Sequence, residues 1–333
     1  MKSGRSKLGK WDDLRMQVFN NPTPNEIKMA AKALKDGNLV AFPTETVYGL
    51  GADAENAKAV NGIYSVKGRP TDHPLIVHIS SAKQSSKWAI DVPDYATKLA
   101  NEFWPGPMTL ILKRSELAKD FITGGQNSIG LRVPAHQIAQ ALLWEFEKYG
   151  GHGLAAPSAN KFGAVSPTTS VAVLSEIGDE LSAGDFVLDG GQSSIGIEST
   201  IIDCTNKDPI VLRPGVVTSE MINKLLGVEI NVVAPYSSVR VSGMLPTHYS
   251  PKATVKLNEN AKSGDGFIAL ADVPTPVGAI RLAAPINLHD FGQSLYASFR
   301  EADLMGLKTI VVMPPLGDGI AHAIRDRLNK AAG

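Results

Sequence analysis

Apolar positions along the chain recur with two periods. Between residues 23 and 35, Ile27, Ala30, Ala31 and Leu34 fall on one face at helical spacing. Thr23 and Glu26 stand at capping-box spacing, Pro24 suits a first helical position, and Gly37 ends the run. The spacing predicts a helix over 23–35. A short apolar run over 39–42 follows as a buried strand, and the chain then enters the polar stretch Thr44-Glu45-Thr46 and the flexible glycines Gly49 and Gly51. Short apolar runs return at 75–79, 108–112, 129–133, 154–156, 186–188, 199–203 and 210–212. Helical patterns separate them at 56–66, 93–103, 135–149 and 168–178. Strands interleaved with helices predict an α/β fold around a mixed sheet, with parallel and antiparallel pairing left open.

Residues 231–252 break this periodicity with Pro, Ser and Gly, and read as a linker. Beyond it, strand patterns at 266–271 and 309–313 and helical patterns at 289–304 and 319–331 compose a small second α/β domain. The expected division is an N-terminal extension over 1–22, a first domain over 23–230, the linker over 231–252, and a second domain over 253–333. A length of 333 residues agrees with two domains.

Composition narrows the function classes. Lys and Arg total 33, as do Asp and Glu, so the formal net charge is zero. A general nucleic-acid surface would be more basic. Cys204 is the single cysteine, which excludes an intramolecular disulfide and a Cys-rich zinc site; in its apolar run it reads as a buried, inert thiol. Residues 1–17 mix Lys, Arg and Asp with no apolar core, and no run is long enough to cross a bilayer, so a cytoplasmic protein is expected.

Four polar loops at strand ends could carry chemistry, since ligand sites in open α/β sheets lie there. The first, 42–49, places Thr44, Glu45, Thr46 and Tyr48 together. The second holds Lys67 and Arg69 around Gly68 with Pro70 behind, followed by His73-Pro74-Leu75; two cations on a stiffened loop suit a polyanion, although a surface Lys/Arg pair is usually only solvated. The third, Ala156-Pro-Ser-Ala-Asn160 with Ser166-Pro167, offers hydroxyl and amide groups for phosphate or ribose, or is an ordinary strand-to-loop turn. The fourth, Gly196-Ile-Glu-Ser-Thr200 with Leu212-Arg-Pro-Gly215, closes a strand with a cation. Phosphate loops, dinucleotide fingerprints, nucleophile elbows and clustered histidines are absent from the sequence.

Taken in order, these segments resemble one family. Val40-Ala-Phe-Pro-Thr-Glu-Thr-Val-Tyr-Gly-Leu-Gly-Ala52 is similar to the opening signature of the Sua5/YrdC family, and Lys67-Gly-Arg-Pro70 with Pro74-Leu-Ile-Val-His78 to its second motif. Trp104-Pro-Gly-Pro-Met-Thr109, Leu131-Arg-Val-Pro134, Ala156-Pro-Ser-Ala-Asn160, Glu198-Ser-Thr200 and Leu212-Arg-Pro-Gly215 continue the match in order. His248-Tyr-Ser-Pro251 resembles the linker motif of the long, Sua5-type members, with Ser250 in place of the usual alanine. The resemblance implies a YrdC-like twisted mixed sheet with helices, then a linker and a small Rossmann-like domain.

It also implies an activity: condensation of L-threonine, bicarbonate or CO2, and ATP to L-threonylcarbamoyl-AMP and pyrophosphate. A downstream threonylcarbamoyl transferase then modifies adenosine in tRNA, so tRNA is met only indirectly. By motif position, Lys67 and Arg69 are expected to act on the triphosphate and to be the catalytic pair. The nucleotide set adds Thr123, Ser158, Asn160, Ser166, Arg213 and Tyr249, the last reaching over from the linker. Thr44, His78, Arg132 and Ser199 are expected around threonine, with Arg132 on its carboxylate; Thr46 and Tyr48 are weaker candidates, and His78 equally suits a strand-end core position. Mg2+ is expected to arrive with ATP, without a direct side-chain ligand. Two other readings are weighed: an RNA-binding module, which zero net charge disfavours, and carbamoyl-phosphate chemistry with its Cys-rich zinc motifs, which the single Cys204 removes.

Overall fold

In a computed structural model the described residues are 16–228, 230–232, 239–244 and 248–333. The expected N-terminal extension lies outside them up to residue 15, as does part of the expected linker.

The chain starts with β1 (Gln17–Asn20) and α1 (Pro24–Lys35). The capping box forms as the spacing requires: the Thr23 hydroxyl accepts from the Glu26 N–H, and the Glu26 carboxylate accepts from the Thr23 N–H at 2.6 Å. Ile27, Ala30, Ala31 and Leu34 pack against the inward face of α6 (Gln137–Lys148), including Leu142 and Phe146. Truncating Leu34 to Ala would cost about 2–5 kcal/mol, because the site is fully closed and a cavity would remain.

The remaining elements of the first domain are β2 (Val40–Phe42), β3 (Gly49–Asp53), α2 (Ala57–Lys67), β4 (Ile76–His78), α3 (Ser85–Trp88), α4 (Asp94–Phe103), β5 (Met108–Lys113), α5 (Asp120–Thr123), β6 (Ser128–Arg132), β7 (Leu154–Ala155), α7 (Ser170–Ile177), β8 (Phe186–Asp189), β9 (Thr200–Asp203), β10 (Ile210–Arg213), α8 (Ser219–Leu226) and β11 (Asn231–Val232). The strands form one sheet in the order β1-β8-β2-β3-β7-β4-β6-β5-β9-β10-β11. It is mixed: β2/β3, β5/β6 and β9/β10 pair antiparallel, while β4/β6 and β5/β9 pair parallel. The span expected to be linker thus begins with two residues that pair with β10.

One expectation is corrected here. Gly49 and Gly51 are not a flexible loop; they belong to β3, a strand buried throughout, whose register sets Gly51 opposite Val40. A Cβ on Gly51 would lie 2.8 Å from the Phe42 ring, so glycine is what lets the ring lie across the strand.

The second domain has β12 (Thr254–Leu257), β13 (Gly266–Ile268), β14 (Ile280–Ala283), α9 (Leu288–Leu304), β15 (Thr309–Val312) and α10 (Ile320–Ala332). Its four strands are all parallel, in the order β12-β15-β13-β14, which is the expected Rossmann-like character. Its core of Phe291, Leu295, Phe299, Ile310, Val312, Ile324 and Leu328 does not stop at the domain edge. The same cluster takes in Val47 and Val165 of the first domain and Tyr249 of the linker. A second seam joins Ile197 to Ile320 and Ala323, and Gly196, at φ 83°, meets α9 so closely that a Cβ would collide with the Gln293 backbone.

Candidate functional site

The sheet delivers polar strand ends to one cleft between the first domain and the linker. After β2 the chain turns tightly: the Thr44 hydroxyl donates to the Val47 carbonyl at 2.6 Å and accepts from the N–H groups of Thr46 and Val47. Thr44 therefore shapes the turn that points Thr46 and Val47 at the cleft. Leu50 N–H donates to the Pro157 carbonyl and Ala159 N–H to that of Tyr48, which sets the 156–160 loop alongside. Parallel pairing of β4 and β6 puts His78 and Arg132 in register side by side.

The cations arrive from three directions. Helix α2 ends at Lys67, Gly68 takes the left-handed conformation at φ 62°, and Arg69 comes back over the cleft. The Lys67 amine donates to the Ser158 carbonyl at 2.6 Å and to that of Asn160, so it fastens the underside of the 156–160 loop. Arg69 donates to the Pro74 carbonyl and to the Ser242 hydroxyl, and its guanidinium lies 5.5 Å from the Phe162 ring centre. Arg213, closing β10, donates to the Ser199 carbonyl at 3.0 Å, the Ser199 hydroxyl at 3.1 Å and the Ser242 carbonyl at 3.0 Å. Ser199 is thereby fixed, with its hydroxyl also 2.8 Å from that of Thr109.

Linker residues close the far side. Ser242, Gly243, His248 and Tyr249 all line the cleft. The Tyr249 ring stacks on Tyr296 of α9 at 5.6 Å, and its backbone sits at φ 62°, a conformation that costs a side-chain-bearing residue about 1–2 kcal/mol. Its hydroxyl is buried without a hydrogen-bond partner, as are His248 Nδ1, His78 Nδ1, Arg69 Nε and Asn160 Oδ1. Buried polar atoms left open around one cavity are groups that a polar ligand can satisfy.

The field of the cleft is positive. Arg69, Arg132 and Arg213 line it, and among the described lining residues Glu198 is the one carboxylate. Burial pushes the proton affinity of Lys67 well down, and Arg69 adds to this; burial likewise brings Arg69 to about 10. His78 and His248 are both held neutral, burial lowering each to about 3. Burial would raise Glu198, but Arg327 and Arg213 bring it down to about 2, so it is ionised.

Of the residues singled out in the sequence, Arg69, Ser158, Arg213, Tyr249, Thr44, His78, Arg132 and Ser199 line this cleft, with Thr46 and Tyr48. Lys67, Asn160 and Ser166 lie just behind its wall: Lys67 donates to the carbonyls of Ser158 and Asn160, and Ser166 donates to Glu198. Thr123 is elsewhere: fully buried in α5, it accepts from Arg114 at 3.2 Å and does not line the cleft. Tyr48 turns its hydroxyl away to Asp189 and the Gly191 carbonyl. Five groups were missed as site residues: Glu45, Glu198 and His248, already inside the motifs; Ser242, inside the linker; and Arg327. The last had a readable signal, since Ile320, Ala323, Ile324, Arg327, Leu328 and Ala331 share one helical face, where a cation has no business unless it is paired.

Among the described residues no cluster of three His, Cys, Asp or Glu is placed to hold a metal ion. No helix is long and apolar enough to cross a membrane among them either. Cys204 is buried, as its apolar run predicted, and burial pushes its thiol up.

Comparison with known proteins adds the following. The Sua5/YciO/YrdC family model, described as telomere recombination, matches residues 32–215. A model described as threonylcarbamoyl-AMP synthase, C-terminal domain, matches residues 217–333. The threonylcarbamoyl-AMP synthase of Pyrococcus abyssi is 37% identical, with 92% of this chain and 94% of that protein covered. The Bacillus subtilis protein of the same name is 34% identical over 92% and 93%. In structure, Pyrococcus abyssi Sua5 in complex with L-threonine superposes with a TM-score of 0.85 at 34% identity, covering 95% of this chain and 97% of that one. Escherichia coli YciO, at 24% identity and a TM-score of 0.51, shares the fold over 60% of this chain and 95% of its own.

Proposed function

The chain belongs to the Sua5/YrdC family, and on that premise we propose that it condenses L-threonine, bicarbonate or CO2, and ATP into L-threonylcarbamoyl-AMP with release of pyrophosphate. It would act as a nucleotidyltransferase and supply the first step of N6-threonylcarbamoyladenosine formation, in the cytoplasm, for a downstream transferase that meets tRNA. The observation that carries this reading is the convergence of Arg69, Arg132 and Arg213 on one enclosed cleft beside hydroxyl and imidazole groups. Cations turned inward fit small anions better than an extended polyanion, which sets the RNA-binding alternative aside. We divide the chain into an extension over 1–22, a catalytic domain over 23–230, a linker over 231–252 and a C-terminal domain over 253–333.

In the proposed chemistry, threonine lies against β4 and β6. Arg132 pairs with its carboxylate, and neutral His78, Thr44 and Ser199 surround its polar groups. The threonine amine takes up CO2, losing a proton, to give a carbamate. A carbamate oxygen then bonds to the α-phosphorus of ATP while the bond to the bridging oxygen breaks, and pyrophosphate leaves with that electron pair. Negative charge grows on phosphate oxygens, so fixed guanidinium groups supply the stabilisation; Arg69 and Arg213 stand ready, and Lys67 keeps Ser158 and Asn160 in position. Tyr249 would hold the nucleotide side, Ser166 would act there through Glu198, and Thr123 could act there only through a rearrangement of α5. Mg2+ fits as a passenger on the triphosphate: Glu198 and Glu45 are both taken up by protein partners, so among the described residues no free carboxylate faces the cleft. Carried there, it would neutralise phosphate charge.

The test is a pyrophosphate-release assay omitting threonine, bicarbonate or ATP in turn. Release is expected only with all three present. Release that persists without threonine would overturn the substrate assignment.

A further inference from the structure

Glu198 poses a problem for an anion-binding cleft. It lines the cavity one residue before Ser199, is ionised, and points into the same region as three arginines. A bare carboxylate there would repel phosphate and would draw Arg213, whose field it already feels. Its oxygens, however, are spoken for. Oε1 accepts from the Ser166 hydroxyl at 2.6 Å. Oε2 accepts from the Tyr296 hydroxyl at 2.9 Å and from Arg327 Nε at 2.9 Å, and its backbone carbonyl accepts from Arg327 Nη2 at 3.3 Å.

Tyr296 and Arg327 come from α9 and α10 of the second domain, and neither is exposed at all. The Arg327 guanidinium also lies 5.4 Å from the Tyr249 ring centre, and Tyr296 forms the other stacked face of that ring. Burying a guanidinium on the apolar face of a helix is costly unless it is paired. Of the two carboxylates that compensate it, one, Glu198, sits in the other domain, at the cleft. Asp326 takes the remaining Nη1.

We infer that Arg327 and Tyr296 are positioning residues for the reaction. They take up the charge and lone pairs of Glu198, which keeps Arg213 on Ser199 and Ser242 at the cleft wall, where its remaining N–H groups face ligand phosphates, and holds the seat of Tyr249. The second domain thus completes the electrostatics of a site made otherwise by the first domain and linker. This inference rests on the nucleotide-binding reading above.

The test compares the unaltered chain with Arg327→Met, Arg327→Lys, Glu198→Gln plus Arg327→Met, and Tyr296→Phe. ATP affinity is measured by calorimetry, the KM values for ATP and threonine by pyrophosphate release, and folding by thermal melting. Arg327→Met is expected to weaken ATP binding about tenfold or more while the threonine KM moves less than about threefold. Arg327→Lys keeps the charge and loses the fork, so it falls between. Removing the stranded charge by adding Glu198→Gln should restore ATP affinity to within about threefold of the natural chain. ATP affinity unchanged in Arg327→Met, or a double variant no better than the single, would overturn the inference. If Arg327→Met does not fold, Tyr296→Phe decides: it keeps the ring stack and removes one hydroxyl, and ATP binding should weaken about twofold to fivefold with melting shifted by less than about 2 °C. No weakening there overturns it equally. A natural chain that binds ATP but releases no pyrophosphate would instead sink the proposed reaction, and the order of the ATP affinities would still decide the role of Arg327.

Discussion

Arg132 and Glu45 face each other in a buried ion pair, with Nη2 2.6 Å from Oε1. Glu45 also accepts the Ala135 N–H at 3.0 Å, and Arg132 donates Nε to the Gly106 carbonyl. The guanidinium that is expected to meet a substrate carboxylate is therefore fixed from behind before any ligand arrives. Removing one partner strands the other in a site where both are at most 9% exposed. Arg132→Met should lower stability by about 3–5 kcal/mol and raise the threonine KM, whereas Glu45→Gln, which still accepts from Ala135, should cost less. Urea unfolding beside the threonine KM checks this; equal losses for the two variants would refute the argument.

Lys67 and Arg69 act from opposite sides of one turn. Lys67→Ala loses the amine that ties the carbonyls of Ser158 and Asn160, and Arg69→Ala loses a guanidinium that faces the cleft and holds Ser242. Each should lower the turnover number for pyrophosphate release by about 10²-fold. The two should differ in stability, since the fully buried amine is part of the packing and Lys67→Ala should melt lower. Unchanged turnover in either variant rules out its role in handling the triphosphate.

Much of the fold was readable because helices and strands carry local periodicity. The capping box at Thr23 and Glu26, and the strand ends at His78 and Arg132, were visible for that reason. Strand β3 was not, because Gly49 and Gly51 have no β propensity of their own; they are set by the Phe42 ring across the pair. The candidate cleft was legible where short motifs sit at strand ends. What stayed hidden depends on partners far along the chain, such as Glu198 with Arg327. Thr123 shows the reverse: a polar residue in a promising loop, used to hold Arg114.

Acid should weaken the protein through its buried histidines before it protonates Glu198. His78 packs on Phe42 beside Arg132, and His248 lies near Lys67, Arg69, Arg213 and Glu198. Both have folded values of about 3 against an ordinary 6.5. Between those values the unfolded chain binds protons that the folded chain refuses, so stability is complete above about pH 6.5 and falls as the pH drops. The slope is about 1.4 kcal/mol per pH unit for each histidine. Glu198 adds its own loss only below the ordinary carboxyl range, about pH 4.5, as the pH nears its folded value of about 2. Unfolding free energies at pH 7.5, 6 and 5 should show the histidine slope, and His248→Asn should lower it by about 1.4 kcal/mol per pH unit. A flat profile between pH 7 and 5 would contradict the buried, neutral assignment.

Gly243 should be the most sensitive small residue of the linker. It sits at φ 82°, where any side chain is strained, and a Cβ there would collide with the Tyr249 hydroxyl and approach Arg213 Nη1 to 3.2 Å. Gly243→Ala therefore combines a backbone cost of about 1–2 kcal/mol with displacement of the tyrosine from the cleft wall. Tyr249 cannot retreat into the second domain, because Tyr296 and the Arg327 guanidinium already fill that side. The ring has to swing outward, so the ATP KM should rise about tenfold or more while global stability falls by no more than the backbone cost. Adding Tyr249→Phe removes the clashing hydroxyl and should recover part of the ATP affinity. If Gly243→Ala leaves the ATP KM unchanged, the linker does not form the wall of the nucleotide site.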